Sequence, residues 1–216
     1  MAKSNPHGVG RRRALRSAVL AGAALMSPIS ANAQTDPVTT MAGKFTANEV
    51  RNLLQLKPNA TCGFVRVTFV SKTSVAPGGL PAPFDKGQAL GSGLYFLVTP
   101  VAPVRLHRIR NDQLYHYYLG DPLELFLLHN DGTTDRVIVG PDLRKGQHVQ
   151  LLIPGNTFHT ARLLGNGRWF LGGSTEWPGV IPKDVEIGKL DELATKYPAV
   201  ASDIRAIAAS VREVSG

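Results

Sequence analysis

The sequence predicts a mainly β fold, an antiparallel sandwich or barrel with short helices at both ends, and three observations predict it. Runs of four to seven residues rich in β-branched and aromatic side chains recur from Gly63 to Leu171. Gly, Pro, Asn and Asp separate these runs, and no long helical period lies between them, which argues against a βαβ arrangement. The 216 residues are 43% hydrophobic and 19% charged, a composition that builds a packed core and not a disordered chain.

Taken in order, the chain opens on an export signal. Arg11, Arg12, Arg13 and Arg16 form a cationic head, Ser17 to Met26 a short apolar stretch, and Ala31-Asn32-Ala33 a small-residue cleavage site. Arg11-Arg12 with Leu15 and Arg16 follows the twin-arginine pattern, whose substrates cross the membrane folded. The expected organisation is a signal peptide over 1–33, a flexible lead over 34–45 and a single domain over 46–216. The protein is then periplasmic or secreted, with no stable membrane association after cleavage.

Thr46-Ala47-Asn48-Glu49 has the form of a capping box, and Val50, Leu53 and Leu54 supply an apolar stripe for a short helix ending near Lys57-Pro58. The predicted strands are Phe64 to Val70, Leu94 to Val98, Leu114 to Tyr118, Leu123 to Leu128, Arg136 to Val139, Val149 to Ile153, Ala161 to Leu164 and Trp169 to Leu171. Asn130-Asp131-Gly132 is a hairpin signal. Ala76 to Gly87, dense in Pro and Gly, reads as a surface loop. From about residue 189 the chain returns to helix. Leu190, Leu193 and Tyr197 make one apolar set, and Pro198 suits the start of a second helix carrying Ile204, Ile207 and Val211.

The formal charge of +8, from 24 Lys and Arg against 16 Asp and Glu, suggests nucleic acid until its location is considered. Lys3 and the four arginines lie in the signal, so +8 less +5 leaves +3 on the remainder. That remainder carries no recognition-helix pattern, zinc-finger spacing or basic stripe interleaved with aromatics, so no nucleic-acid partner is expected. Arg105, Arg108 and Arg110 form its densest cationic cluster, either a solvated connection or an attractor for an anionic ligand. Cys62 is the one cysteine, which excludes an internal disulfide, and no sequence neighbour supplies it a base. It reads as a buried structural thiol.

The segments Leu94-Tyr-Phe-Leu-Val-Thr-Pro, Leu106 to Leu125 with its block Gly120-Asp-Pro-Leu-Glu-Leu, Gly140-Pro-Asp-Leu and Ile153-Pro-Gly-Asn-Thr resemble the cupin superfamily, in particular its DUF985 or cupin-5 branch. The resemblance implies a double-stranded β-helix (an RmlC-like jelly roll), a homodimer and a small-molecule pocket inside the barrel. Cupins commonly hold a divalent metal on two His and a Glu of a first motif and a third His of a second. Aligned on Gly120, this chain keeps His107 but places Ile109 at the second His and Gln113 at the Glu; in the second motif His159 remains. His107, Gln113 and His159 are therefore the metal candidates. The set lacks a carboxylate to compensate a divalent charge, so the expected cofactor is a weakly bound divalent metal or none.

On a regular strand Gln113, Tyr115 and Tyr117 share one face and Leu114, His116 and Tyr118 the other, an assignment that a bulge would reverse for His116. With Tyr95, Tyr115 and Tyr117 turned inward around His107, the pocket suits a hydroxyl-rich, sugar-like ligand. Arg66 and Glu124 are charges within strands and must be paired or functional. The expected ligand-binding set is thus Arg66, Tyr95, Gln113, His116, Tyr117, Glu124 and His159, with His107 and Tyr115 catalytic. The first expectation is metal-independent isomerase, epimerase or mutarotase chemistry, in which a near-neutral imidazole and a phenol move a proton. The alternatives are a metal-dependent cupin oxygenase and a non-catalytic small-ligand-binding protein.

Overall fold

The computed structural model describes residues 44–165 and 167–212; the expected signal peptide and most of the expected lead lie outside the described residues. Helix α1 (Ala47–Leu53) opens on the capping box, with Thr46 Oγ1 accepting from Glu49 N at 3.2 Å and Thr46 N donating to Glu49 Oε2 at 2.7 Å. There follow β1 (Lys57–Pro58), β2 (Phe64–Val70), β3 (Ser74–Val75), β4 (Gln88–Ala89), β5 (Ser92–Val98), β6 (Val104–Ile109) and β7 (Asp112–Gly120). Then come β8 (Leu123–Leu128), β9 (Thr134–Val139), β10 (Gln150–Ile153), β11 (Phe158–Leu163), β12 (Phe170–Trp177) and β13 (Val185–Ile187). Helix α2 (Leu190–Lys196) and a 3₁₀ turn starting at Pro198 lead into α3 (Ala201–Arg212). No helix among the described residues is long and apolar enough to cross a membrane.

The strands form two antiparallel sheets, a six-stranded one in the order β1-β2-β5-β12-β7-β10 and a five-stranded one in the order β13-β6-β11-β8-β9. From β5 to β8 and from β9 to β13 successive strands alternate between these sheets, the winding of a jelly roll, while β3 and β4 form a separate pair. The interior cluster of Phe96, Val98, Leu123, Leu125, Val139 and Phe170 packs between them. Two further apolar layers cover outer faces: Val50 and Leu56 close over Leu97, Trp169 and Leu171 of the larger sheet, while Leu193, Tyr197 and Ile204 close over Phe126 and Leu128 of the smaller one. Both terminal helical segments are thus held by burial of apolar side chains and not by helix propensity alone.

The predicted strands all occur, some longer than expected. β6 is not among the predicted strands, its apolar residues being interrupted by Arg105 and Arg108. Arg105 is exposed within it and Arg108 half-buried, Arg108 Nη2 meeting Glu186 Oε2 at 2.7 Å, while Arg110 follows the strand. β12 runs on to Trp177, past Gly172-Gly173, two residues that break the pattern of a strand without breaking its ladder to β5; against β7 the register shifts between Leu171 and Gly172.

Gly120, between β7 and β8, takes φ +97°, and a Cβ there would run into the Trp169 carbonyl oxygen and ring. Gly120→Ala is expected to lower unfolding free energy by about 2 kcal/mol or more, from backbone strain plus that clash. A urea titration with unchanged slope and a lower midpoint is the expected reading, and an unshifted midpoint would contradict it.

Candidate functional site

His107 on β6 and His159 on β11 are directly opposed in register, with ring centroids 4.2 Å apart. A bulge places them there. His159 faces His107 while Ala161 faces Val104, so β6 carries one residue more than β11 across this interval. Residues three apart on a regular strand point to opposite faces; the extra residue lets both Val104 and His107 face the interior.

Each imidazole is oriented by its own strand. His107 Nδ1 donates to Arg105 O at 2.7 Å and His159 Nδ1 to Thr157 O at 3.3 Å. A carbonyl only accepts, so the proton sits on Nδ1 and each Nε2 presents a lone pair. Burial pushes the pKa of His107 down to about 4. Burial and the neighbouring His107 hold His159 well below its usual range. Both rings are neutral near pH 7.

From the opposite sheet, the Tyr115 hydroxyl donates to His159 Nε2 at 3.1 Å. Cys62 Sγ lies 3.7 Å from that hydroxyl and 4.0 Å from His107 Nε2. Burial raises both the phenol and the thiol, so both keep their protons. The expected burial of Cys62 is observed; chain neighbours gave it no base, whereas the fold brings an imidazole from 45 residues away.

The six-stranded sheet supplies a second polar group. Glu176 on β12 is 3% exposed, with Ser92 of β5 and Gln113 of β7 as its register partners. Ser92 Oγ donates to Glu176 Oε2 at 2.5 Å and accepts from Val180 N at 3.0 Å. Burial raises the Glu176 pKa, partly offset by the nearby Ser174 hydroxyl and by the hydrogen bond from Ser92. Cys62, His107, Gln113, Tyr115, Ser174 and Glu176, with Asn59, Thr61 and Ser92, form the polar lining of one cavity of about 200 Å³, whose apolar lining includes Leu94, Phe96 and Ile109. Glu176 and Ser174 escaped sequence reading because the predicted strand stopped at Leu171. Their i, i+2 spacing after the two glycines is the one signal that points to them.

The remaining candidates are placed elsewhere. Tyr95 faces outward, since β5 turns Leu94, Phe96 and Val98 inward; its ring packs edge-on to Tyr118 at 5.8 Å, with the Arg66 guanidinium 5.6 Å above it. His116 is on the same outer face, its Nε2 3.0 Å from Thr175 Oγ1 and its Nδ1 3.1 Å from Gln150 Nε2. The bulge of β7 falls beyond it, after Tyr117, and so does not turn it inward. Tyr117 packs on the interior cluster, but its hydroxyl is used by Gly120 O at 2.8 Å. Glu124 pairs with Arg162 at 2.7 Å, and Arg162 with Asp203 at 2.9 Å, so this charge braces α3 against the five-stranded sheet. Arg66, Tyr95, His116 and Glu124 are therefore apart from the cavity.

The family model described as Cupin superfamily (DUF985) matches residues 48–188, and the chain belongs to that family. A hypothetical protein from Leishmania major is similar in structure, with TM-score 0.68 and 25% identity over 75% of this chain and 98% of that one. A protein from Shewanella oneidensis is similar with TM-score 0.66 and 23% identity over 74% of this chain and 96% of that one. Nothing among the curated proteins matches the chain significantly.

The superfamily's usual divalent metal does not fit these residues. Ile109 stands where a second first-motif imidazole would be, the Glu position is an amide, and the lone pair of His159 is taken by the Tyr115 hydroxyl. Among the described residues no three His, Cys, Asp or Glu side chains form a group able to hold an ion. An oxygenase reading through His107, Gln113 and His159 therefore lacks its donor set.

The buried histidines make stability depend on pH. From 6.5 down to about 4 the unfolded chain takes up protons that folded His107 and His159 exclude, so stability falls with pH, by up to about 1.4 kcal/mol per pH unit for each ring. Glu176 acts oppositely above 4.5, where its unfolded form ionises first. His107→Asn is expected to flatten the acid limb by one proton and to remove the NMR resonance titrating near pH 4. An acid limb of unchanged slope would refute this assignment.

Proposed function

We propose that the barrel binds a small, neutral, hydroxyl-bearing ligand and moves a proton within it, without a metal, as an isomerase or epimerase does. The observation that carries this reading is the facing of two complementary groups across one cavity. His107, neutral with a free Nε2 lone pair, stands on the five-stranded wall; the Glu176 carboxyl, its pKa raised by burial, stands on the six-stranded wall. A neutral base on one side and a proton donor on the other suit removal of a carbon-bound proton beside a carbonyl and delivery of a proton to the opposite face. The cavity lies below the roughly 300–1,000 Å³ of drug-sized sites, which favours a single sugar ring or a shorter polyol. Buried Ser174 Oγ has no hydrogen-bond partner in the protein, a deficit that a ligand hydroxyl would satisfy.

In this reading Tyr115 acts differently from the expectation. Its proton is committed to His159, so it orients the histidine pair and closes the floor of the cavity, while His107 contacts the ligand. The arginine-headed leader supports action outside the cytoplasm, where unphosphorylated sugars are available as ligands.

The test is solvent exchange. Incubated with a panel of unphosphorylated aldoses and ketoses in D₂O, the protein is expected to place deuterium at a carbon next to the carbonyl, as seen by loss of its proton NMR signal. His107→Asn and Glu176→Gln should each slow exchange by about 10²- to 10⁴-fold with binding retained. Binding without exchange in the wild-type protein would instead support the non-catalytic ligand-binding reading.

A further inference from the structure

None of the clustered cations Arg105, Arg108 and Arg110 lines the cavity of His107 and Glu176. Arg108 is paired with Glu186, and Arg110 follows β6. Arg105 is exposed and makes one long side-chain hydrogen bond, Nη1 donating to Ala60 O at 3.4 Å. No carboxylate of the described residues pairs with it. The acids of β13 and α2 are taken: Glu186 by Arg108, Asp191 by Arg205 and Glu192 by Lys189. Arg105 lines a second cavity instead, of about 220 Å³, between β6 and the C-terminal helices. Leu106, Ile187, Leu190, Ile204 and Ile207 give this cavity apolar walls. Its other polar side chain, Thr160, is committed, with Oγ1 donating to Val104 O at 2.7 Å. Leu106 lines this cavity and its neighbour His107 the first, so the two lie on opposite sides of β6.

We propose that this second cavity binds a small monocarboxylate, a short aliphatic or single-ring acid, with Arg105 holding the carboxylate and the apolar walls taking the hydrocarbon. Three features define that ligand. The planar guanidinium fork has donors to spare and matches a carboxylate edge to edge, and one unpaired cation calls for one negative charge. The walls offer no further polar partner, so a sugar or polyol would lose water from its hydroxyls without replacing those hydrogen bonds, whereas a hydrocarbon gains by burial. Because Arg105 is exposed, the ion pair forms at the surface and escapes the desolvation cost of a buried one. The volume, below the roughly 300–1,000 Å³ of drug-sized sites, limits the ligand to a short chain or one ring. This site shares no lining residue with the first cavity, so its failure leaves the proton-transfer reading standing, and the reverse.

Isothermal titration of the full chain with hexanoate and with benzoate is expected to show millimolar or tighter binding, and hexanol and benzyl alcohol to bind about tenfold more weakly or worse. Arg105→Gln changes an exposed side chain and keeps the backbone bonds of residue 105 to Thr61 and His107. It should weaken the acids about tenfold or more and leave the alcohols unchanged. Ala208→Phe, which fills the cavity, should abolish binding of both. In case that variant fails to fold, the wild-type protein locates the site: hexanoate should shift the amide NMR signals of Leu106, Gly188 and Ala208 and leave those of Ser174 and Glu176 in place. Absence of binding by either acid at millimolar concentration would overturn the proposal. So would acids and alcohols of equal affinity, or acid binding indifferent to Arg105→Gln, since each removes the guanidinium from the site. Shifts at Ser174 and Glu176 instead would also overturn it, placing the acid beside His107.

Discussion

The interior of this protein depends on the pairing of β6 with β11 and on the residue that β6 carries in excess. Without that bulge, Val104 and His107 would face opposite sides of the sheet. Either the apolar core would lose a fully buried valine or the cavity would lose its imidazole. Beyond the bulge the strand is regular, so Leu106 and Arg108 share the outer face, Leu106 in the layer under the C-terminal helices and Arg108 against Glu186. A bulge sacrifices ladder hydrogen bonding locally, and here it supplies both a core residue and a site residue from consecutive turns of one strand.

The polar interior follows from the cost of burying charge. Two imidazoles, a phenol, a thiol and a carboxyl share a space from which water is largely excluded, and each is pushed toward its neutral form. The same principle explains why Glu124 and Arg162 lie outside the barrel, where exposure and mutual pairing, with Asp203 as a third member, let them stay charged. Sorting charged groups to the outer faces and neutral polar groups to the cavity is one physical separation with two results, a braced C-terminal helix and a reactive interior.

The two sheets divide the chemistry between them. The five-stranded sheet offers a lone pair at His107, and the six-stranded sheet offers donors at Tyr115 and Glu176. Tyr115 crosses from its own sheet to His159 on the other, tying the walls together at the base of the cavity. At the far side, the same six-stranded sheet leaves Val67 and Val70 uncovered. The cavity is therefore rigid where the histidines sit and open where β2 ends.

By itself the sequence determined the class of fold, because strand periodicity, turn residues and the capping box at Thr46 act locally. It also picked out His107, Gln113 and His159 by their spacing within the cupin-like motifs, and Tyr115 because it shares the strand face of Gln113. The larger part of the site was decided by tertiary structure. Cys62 meets His107 and Glu176 meets Ser92 through strand pairings that join distant parts of the chain, and no local pattern encodes such contacts. Tyr95 and His116 show the reverse case: their residue types suit a pocket, yet the parity of the strand turns both outward. Face is set by register, and register is fixed only when the sheets close on each other.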